Sequence, residues 1–254
     1  MPTPAAPRRS TPNGTNRTST NRAKSGRGGV QDQVLRRLRT GLMVGAFVPG
    51  QVMSLRKVAA SLGTSPMPVR EALTYLVTAN ALEEMPNRSV RVPRLSDSRL
   101  AELFHIRELL EGLAAKMACE RVTPDLIARL EATNRELISA IAKRDILGCL
   151  TTNQKFHFTL YQAAQSETLM PLIESLWLQC GPTMYFSLLS PSMPWDASAH
   201  TEILAGLRAG KPAVVQRAVV RDVRTTAKNL LGGAVERGLN GPLMRSIAEM
   251  DAFF

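Results

Sequence analysis

Five polar side chains fall on the buried stripes of helices predicted after residue 96: Arg107, Asn153, His157, His200 and Asp222. Asn153 and His157 are four residues apart, so they are neighbours on one helix face. Burying such groups without partners is unfavourable, because each loses its hydrogen bonds to water. We therefore expect them to bond to one another as ordinary core residues, to a metal ion or to a bound ligand.

Each of these residues also has a purely structural interpretation. Arg107 could pair with Glu111, one helical turn later, or it could bind the carboxylate of a small effector. Asp222 could pair with the adjacent Arg221 or with Arg224. A single histidine on a helix is most often a satisfied core or surface residue, so the shared inward placement of two histidines is what favours a site.

Positive charge is concentrated in the first part of the chain. Residues 1–96 contain 15 Lys and Arg against 4 Asp and Glu, whereas residues 97–254 contain 17 of each. The formal net charge of +11 therefore lies entirely in the first 96 residues. A basic segment joined to a neutral one is typical of a polyanion-binding module coupled to a second function.

Residues 1–28 are rich in Pro, Thr, Asn, Gly and Arg and nearly lack apolar residues, which predicts a disordered basic tail. This segment has no apolar block of the signal-peptide type, and no later apolar run is long enough to span a bilayer. The three cysteines lack close pair spacing and are interpreted as small buried residues of a reduced protein. These features predict a cytoplasmic protein without a membrane partner.

Two short helices are predicted first in the basic segment. One follows a helical pattern from Val30 to Val44. The next covers residues 54–63, with Ser54 as its N-cap and Gly63 as its stop.

A third helix follows after a tight turn, with Ser65 as its N-cap and Pro66 at the first helical position, where proline is favoured. Residues 81–95 then alternate around the turn "PNRS", which predicts a β-hairpin. Three helices and a hairpin in this order predict a winged helix-turn-helix domain over residues 29–95.

Such a domain places the start of its third helix against base edges in the major groove of double-stranded DNA, while main-chain N–H groups and arginines bind phosphates. The predicted DNA-binding residues lie on the second helix, the third helix and the wing: Arg56, Ser65, Met67, Arg70, Arg88 and Arg91. The alternative is a small helical domain with a solvated basic face. The helix order, the turn and the confined charge together favour the DNA-binding interpretation.

The stretch "FVPGQVMSLRKVAASLGTSPMPVREALTYLVTANAL" resembles the GntR family of bacterial transcription regulators, most specifically through "PVREAL". The resemblance covers about 60 residues and implies a DNA-binding regulator. Two positions depart from the family pattern. Pro66 stands where an arginine is frequent, and Ser89 stands where the wing usually has glycine, which affects the expected operator sequence more than binding itself.

Residues 96–238 show helical periods throughout, which predicts an all-α bundle of about six helices, followed by a C-terminal tail over residues 239–254. The fold class is therefore mainly α, a winged helix-turn-helix followed by a helical bundle. The segments "RELLE", "NQKFH", "SAHTEIL" and "AVVRDV" resemble the FCD ligand-binding domain of the FadR branch of the same family.

The FCD resemblance implies a divalent metal site, which this domain often forms from Asp-x3-His and two further histidines. The matching positions are Asn153, His157, His200 and Asp222. Asn replaces the usual Asp, and Asp replaces the last His. An amide oxygen, two imidazoles and a carboxylate suit Zn²⁺, Ni²⁺ or Mn²⁺.

These features together predict a regulator that binds a palindromic operator as a homodimer. The predicted effector is a small organic acid held by Arg107, Asn153, His157 and His200. Two alternatives remain. One is a metal-dependent enzyme that uses the His/Asp site to activate water, although no general base stands out beside it. The other is a non-specific architectural DNA-binding protein.

Overall fold

The computed structural model describes Met1 and residues 27–86, 89–188 and 196–240. Most of the predicted N-terminal tail, the chain after Asn240, and Arg88 of the predicted DNA-binding set lie outside these residues. Helix α1 spans Arg27–Met43 and thus begins two residues inside the predicted tail of residues 1–28.

The next two helices form the predicted helix-turn-helix. Helix α2 spans Leu55–Ser61, and the Ser54 hydroxyl caps it by accepting from the backbone N–H of Lys57. Gly63 follows with φ of +61°, a left-handed conformation that glycine adopts without strain. Helix α3 spans Pro66–Thr78. Ser65 takes its N-cap position as predicted, although its side chain forms no capping hydrogen bond.

A three-stranded antiparallel sheet completes the basic domain. Its strands are β1 (Val52–Met53), β2 (Glu83–Glu84) and β3 (Val90–Arg91), in the order β1-β3-β2. Strands β2 and β3 form the predicted hairpin, with Glu83 opposite Arg91. Strand β1 was not predicted, because two residues are too short to show an alternating pattern. It pairs Val52 with Arg91 and joins the wing to the start of α2.

The second part of the chain is helical, with seven helices among the described residues. They are α4 (Asp97–Glu120), α5 (Pro124–Lys143), α6 (Ile146–Gln162), α7 (Leu169–Ser187), α8 (Ser198–Arg208), α9 (Pro212–Leu230) and α10 (Ala234–Leu239). None of the helices described in the chain is both long and apolar enough to cross a bilayer.

Local sequence explains where several of these helices begin. The side chains of Ser96, Thr123 and Asp145 each accept a hydrogen bond from a backbone N–H three residues later, at the starts of α4, α5 and α6. Pro124 follows Thr123 at the first helical position, as predicted. Helix α4 packs along α9, α5 packs on α6, and α8 packs on both α5 and α9. This packing brings the four helices that carry the predicted polar residues together.

One hydrophobic core runs through both parts of the molecule. It includes Leu38 of α1, Leu76 of α3, Phe104 of α4, Trp177 of α7 and Val219 of α9, all nearly or fully buried. Helix α1 packs against α3 on one side and against α7 on the other. The basic domain is therefore joined to the helical bundle by side-chain packing as well as by the chain itself.

Candidate metal and effector site

Three of the predicted site residues meet between α6, α8 and α9. Nε2 of His157 lies 3.0 Å from Oδ2 of Asp222 and 3.3 Å from Nε2 of His200. One ligand atom of each residue lies within 4.8 Å of the other two. Both histidines are buried, whereas 26% of the Asp222 side chain is exposed. The cluster therefore opens to solvent at the aspartate.

The contact of Nδ1 of His157 shows which ring nitrogen carries the proton. Nδ1 lies 3.0 Å from the hydroxyl of Tyr161, which donates its only proton to Oε2 of Glu111 at 2.7 Å. Nδ1 must therefore be the donor to the tyrosine oxygen. In the neutral ring this leaves a lone pair on Nε2, the atom that faces Asp222.

A carboxylate oxygen and two imidazole nitrogens thus converge on one point, and each can offer a lone pair there. Such a set is satisfied by a shared proton or by a metal ion. Metal–ligand bonds of about 2.0–2.1 Å place neighbouring ligand atoms roughly 2.8–3.0 Å apart in octahedral geometry and about 3.3–3.4 Å apart in tetrahedral geometry. The two short separations at Nε2 of His157 match that spacing. The residues present therefore fit a divalent cation.

The surroundings keep His200 neutral and Asp222 ionised. Burial, together with the adjacent imidazole of His157, lowers the pKa of His200 to about 3, against the opposing effect of Asp222. The His200 ring stacks on Phe156, with centroids 3.9 Å apart, and its Nδ1 has no hydrogen-bond partner among the described residues. Burial acts to raise the pKa of Asp222, but its contact with His157 and the nearby Arg107 cation lower it overall.

Arg107 lies deeper, next to this cluster. Its Nε donates to Oε1 of Glu111 at 2.6 Å, so the predicted pairing one helical turn later is confirmed. The guanidinium carbon lies 4.6 Å from the ring centroid of Phe104 and 4.5 Å from that of Trp177. Burial disfavours its charge, but Glu111 raises the pKa of Arg107 above its usual value. Its Nη1 has no hydrogen-bond partner among the described residues, which leaves one buried donor available.

Asn153 lies one turn before His157 on α6 and is half-buried. Its part in the site stays a prediction that rests on this position and on the family resemblance.

The structure corrects the alternative pairing of Asp222. Arg221 pairs with Glu202, and Arg224 pairs with Glu108. Each of these arginines extends to a neighbouring helix rather than to the aspartate on its own helix. The ion-pair explanation of Asp222 was therefore wrong, and its carboxylate contacts His157 instead.

Sequence reasoning missed two members of the network around Glu111. Tyr161 donates to Oε2 of Glu111, and Nε1 of Trp177 donates to Oε1 at 3.0 Å. The spacing of four between His157 and Tyr161 was the available signal, since it places the two on one face of α6. The position of Trp177 depends on how α7 packs on α4, which no local spacing reveals.

The predicted DNA-binding residues of α2 and α3 are exposed. Arg56, Ser65 and Arg70 lie on the surface, and 61% of Met67 is accessible at the start of α3. The opposite face of α3 is buried in the core through residues such as Val69 and Leu76. Neither Arg56 nor Arg70 forms an ion pair with another described residue, so both guanidinium groups are available to phosphates or bases.

Arg91 differs from the other predicted DNA-binding arginines. Its Nε lies 2.6 Å from Oε1 of Glu83, across the strand pair β2–β3, and both side chains are well exposed. An exposed ion pair is weak, so this contact restrains the arginine without excluding a phosphate.

Comparison with known proteins agrees with this arrangement. Residues 30–92 match the family of bacterial regulatory proteins called the gntR family, and residues 102–225 match the FCD domain. The HTH-type transcriptional regulator McbR of Escherichia coli (strain K12) is 34% identical over 181 residues, which cover 70% of this chain and 81% of that protein. The chain belongs to the GntR family of bacterial transcription regulators.

Further relatives of this GntR regulator agree with the assignment. The solved structure of E. coli McbR/YncC has a TM-score of 0.74 at 29% identity, covering 79% of this chain and 96% of that one. A probable D-xylose utilization operon transcriptional repressor of Paenarthrobacter nicotinovorans is 29% identical over 172 residues, 66% of this chain and 74% of that protein.

The expectation of a winged helix-turn-helix followed by an FCD-type helical bundle is confirmed by these matches and by the fold. The protein is a DNA-binding transcription regulator and not an enzyme, since these families and relatives are transcription regulators. The alternative of a metal-dependent enzyme was therefore wrong.

Proposed function

We propose that this GntR regulator acts in the cytoplasm as a homodimer that binds a palindromic operator, and that a small organic acid, together with a divalent metal, controls it. The observation that carries the proposal is the cluster of His157, His200 and Asp222, in which three ligand atoms converge beside a buried arginine. Residues 29–95 bind DNA in this proposal, and residues 96–238 bind the effector and the second subunit.

The DNA part of the proposal rests on the exposed face of α3 and its neighbours. Arg70 and Arg56 supply positive charge, and Ser65 lies at the helix N-terminus, where backbone N–H groups can bind a phosphate. Met67 is a large exposed apolar side chain at the end of the helix that enters the groove, and it suits contact with a thymine methyl group. Arg88 and Arg91 of the wing complete the set.

His157, His200 and Asp222 would hold the metal, with Asn153 as a fourth ligand one turn before His157. The metal, when bound, supplies positive charge and open coordination positions for oxygen atoms of an effector. Tyr161 orients the His157 ring through Nδ1, and Phe156 holds the His200 ring by stacking. The neutral state of His200 leaves its nitrogen free to bind a cation.

A carboxylate is the favoured effector group, because Arg107 is a buried cation whose Nη1 has no partner within the described part of the chain. Glu111 pairs with this guanidinium, so we expect the arginine to contribute a directed hydrogen bond rather than a strong field. Asp222 provides the more exposed side of the cluster. We infer that the effector approaches from that side and reaches toward Arg107.

Helix α4 offers a surface for dimerisation. Leu109 and Leu113 are exposed by 60% and 41%, and they lie four residues apart, one above the other on that helix. Two copies of α4 packed across a two-fold axis would cover this apolar stripe.

The proposed function is tested by titrating purified full-length protein with Zn²⁺, Ni²⁺ and Mn²⁺ and following heat release, then repeating the titration with a panel of carboxylic acids. A duplex selected by the protein from a random pool serves as the operator probe. Stoichiometric metal binding, and an acid that shifts affinity for this duplex, support the proposal. Affinity that no metal and no acid changes would contradict it.

The His157→Ala variant tests the proposed metal site, and Asp97→Ala is its control. Asp97→Ala removes a comparable polar group at the exposed start of α4, away from the cluster. We expect metal binding to be lost in the first variant and retained in the second.

A further inference from the structure

One face of helix α7 contacts Arg107 and Glu111, which lie next to the cluster of His157, His200 and Asp222. We call these five residues the polar cluster. Nε1 of Trp177 donates to Glu111 at 3.0 Å, and the Trp177 ring lies against the guanidinium of Arg107. One turn later, the buried thiol of Cys180 lies near the same arginine. Any change in the position of Arg107 or Glu111 therefore acts directly on α7.

The neighbouring face of the same helix touches the DNA-binding domain. Glu174 forms a half-buried ion pair with Arg39 of α1. At Gly181 the two helices are so close that a Cβ atom would overlap the carbonyl oxygen of Leu42 and lie 2.7 Å from Cα of Met43. Only glycine permits this approach without displacement of a backbone. Within two helical turns, residues 174 and 181 thus contact the DNA-binding domain and residues 177 and 180 contact the bundle.

The residues that follow α1 also pack against α7 near Gly181. Gly45 has φ of +68°, and a Cβ added there would lie 3.1 Å from the carbonyl oxygen of Gly181. Helix α6 adds a second point of contact, since Nε2 of Gln154 lies 4.0 Å from Sδ of Met43. Gln154 is adjacent to Asn153, the predicted fourth ligand. Helices α6 and α7 therefore both contact the end of α1.

Helix α7 is also weakest where it contacts α1. Pro182 lies inside the helix and has no backbone N–H, so the usual hydrogen bond to the carbonyl of Leu178 is missing there. A helix that lacks this bond bends more easily at that turn. The contact at Gly181 therefore combines close backbone packing with a locally weakened helix.

We propose that α7 couples the polar cluster to the DNA-binding domain, with the Gly181 contact on Leu42 and Met43 and the Arg39–Glu174 ion pair as its two points of coupling. Packed interfaces of this kind shift between discrete arrangements rather than deform continuously. Movement of Trp177 with Glu111 bends α7 at Pro182 and displaces α1, and α1 packs directly on the recognition helix α3. This inference rests on the proposed function only for the ligand that binds the cluster. The contacts through α7 are features of the fold and do not depend on that ligand.

Hydrogen–deuterium exchange of the full chain tests the route without any ligand. The Trp177→Phe substitution removes the hydrogen bond to Glu111, and Ile173→Val is its matched control, because Ile173 is a fully buried α7 residue one turn earlier. We expect Trp177→Phe to speed exchange of the amides at residues 40–46 by about fivefold, the lower end of ordinary coupling between sites. Ile173→Val leaves these amides unchanged. Equal exchange in the two variants would overturn the proposal.

Operator affinity tests the same route with a signal. Zn²⁺ is the probe for the cluster, and a duplex selected from a random pool is the probe for the DNA-binding domain. We expect saturating Zn²⁺ to change the dissociation constant of the wild-type duplex complex by about fivefold or more. In the Arg39→Gln variant we expect Zn²⁺ no longer to change the dissociation constant of the duplex complex, while the affinity of the protein for Zn²⁺ itself is retained. The charge-exchanged variant Arg39→Glu/Glu174→Arg restores the effect of Zn²⁺ on duplex affinity.

The two experiments separate this proposal from the proposed function. Suppose that Trp177→Phe speeds hydrogen–deuterium exchange at residues 40–46, but neither Zn²⁺ nor an acid changes the affinity for the duplex. This result supports the route through α7 and contradicts control by a ligand. A Zn²⁺-dependent duplex affinity that survives Arg39→Gln unchanged, and also survives Gly181→Ala, supports ligand control and overturns the route.

Discussion

The hydroxyl of Tyr161 lies 3.0 Å from Nδ1 of His157 and determines which nitrogen of that ring carries the proton. Because the hydroxyl donates to Glu111, the imidazole must donate to the hydroxyl. The nitrogen that faces Asp222 is thereby left with a lone pair in the neutral ring. Tyr161 thus prepares the site for a cation, although it acts only through the Nδ1 atom of His157.

Replacement of Tyr161 by Phe removes this control. His157 then loses its acceptor at Nδ1, and Glu111 loses a donor. We expect Zn²⁺ affinity to fall by about 10–100-fold, the usual effect of losing a partner of a ligating histidine. Isothermal titration calorimetry measures the change. Tyr75→Phe, on the exposed face of α3, is the matched control and leaves Zn²⁺ affinity unchanged.

Replacement of Asn153 by Asp tests the predicted fourth ligand. A carboxylate binds a divalent cation more tightly than an amide oxygen does, so we expect metal affinity to rise by about tenfold, or roughly 1.4 kcal/mol. Gln154→Glu adds the same charge at the next position, off the ligand face, and separates coordination from a general field effect. Equal gains in the two variants, or no gain from Asn153→Asp, would remove Asn153 from the ligand set.

The Arg107–Glu111 pair is expected to matter for stability because both side chains are buried. In Arg107→Met the carboxylate of Glu111 stays buried without its cation, which lowers the free energy of unfolding by about 3–5 kcal/mol. Urea denaturation followed by circular dichroism measures the loss. Arg129→Met breaks the exposed pair with Asp125 and serves as the control, for which we expect a far smaller change.

The recognition helix is tested by two exposed residues that contribute in different ways. Arg70→Ala is expected to weaken duplex binding by about 1–3 kcal/mol if the arginine reads a base, and uniformly across sequences with a shallower salt dependence if it binds a phosphate. Met67→Ala is expected to weaken the selected duplex while leaving random duplex affinity unchanged. Fluorescence anisotropy at several salt concentrations measures both. Arg121→Ala, at the far end of α4, leaves duplex binding unchanged.

The cysteines provide a test of packing. Cys119, Cys149 and Cys180 are all buried and free. Burial raises the pKa of each thiol, and that of Cys180 reaches about 11, although Arg107 opposes the shift. At pH 8 these thiols are mainly protonated in the folded protein, so we expect a disulfide reagent to react slowly until denaturant is added. Rapid reaction of any thiol in the native protein would contradict the described packing.

Local patterns predicted much of this fold. The N-caps of α2 and α5 at Ser54 and Thr123 form as expected, because capping depends on residues within one turn. The meeting of His157 with His200 was predicted from their shared inward placement. These features depend on the period of a single helix or on a family pattern, and both are visible in the printed sequence.

Features set by packing between helices were not visible. Strand β1 forms because β3 offers it an edge, and its two residues have no period of their own. The alternative interpretation of Asp222 paired it with arginines close in sequence, yet Arg224 extends across to Glu108 of α4. The rotation of one helix against another decides such contacts, and local spacing does not encode that rotation.

The contact at Gly181 also limits how this regulator can evolve. Here the backbone of Leu42 occupies the space that any larger side chain at position 181 would need. A chimera that joined residues 27–95 to another bundle would have to provide glycine at that crossing, with an acidic residue seven positions earlier to meet Arg39. The two halves of the chain are therefore expected to be inherited together rather than exchanged.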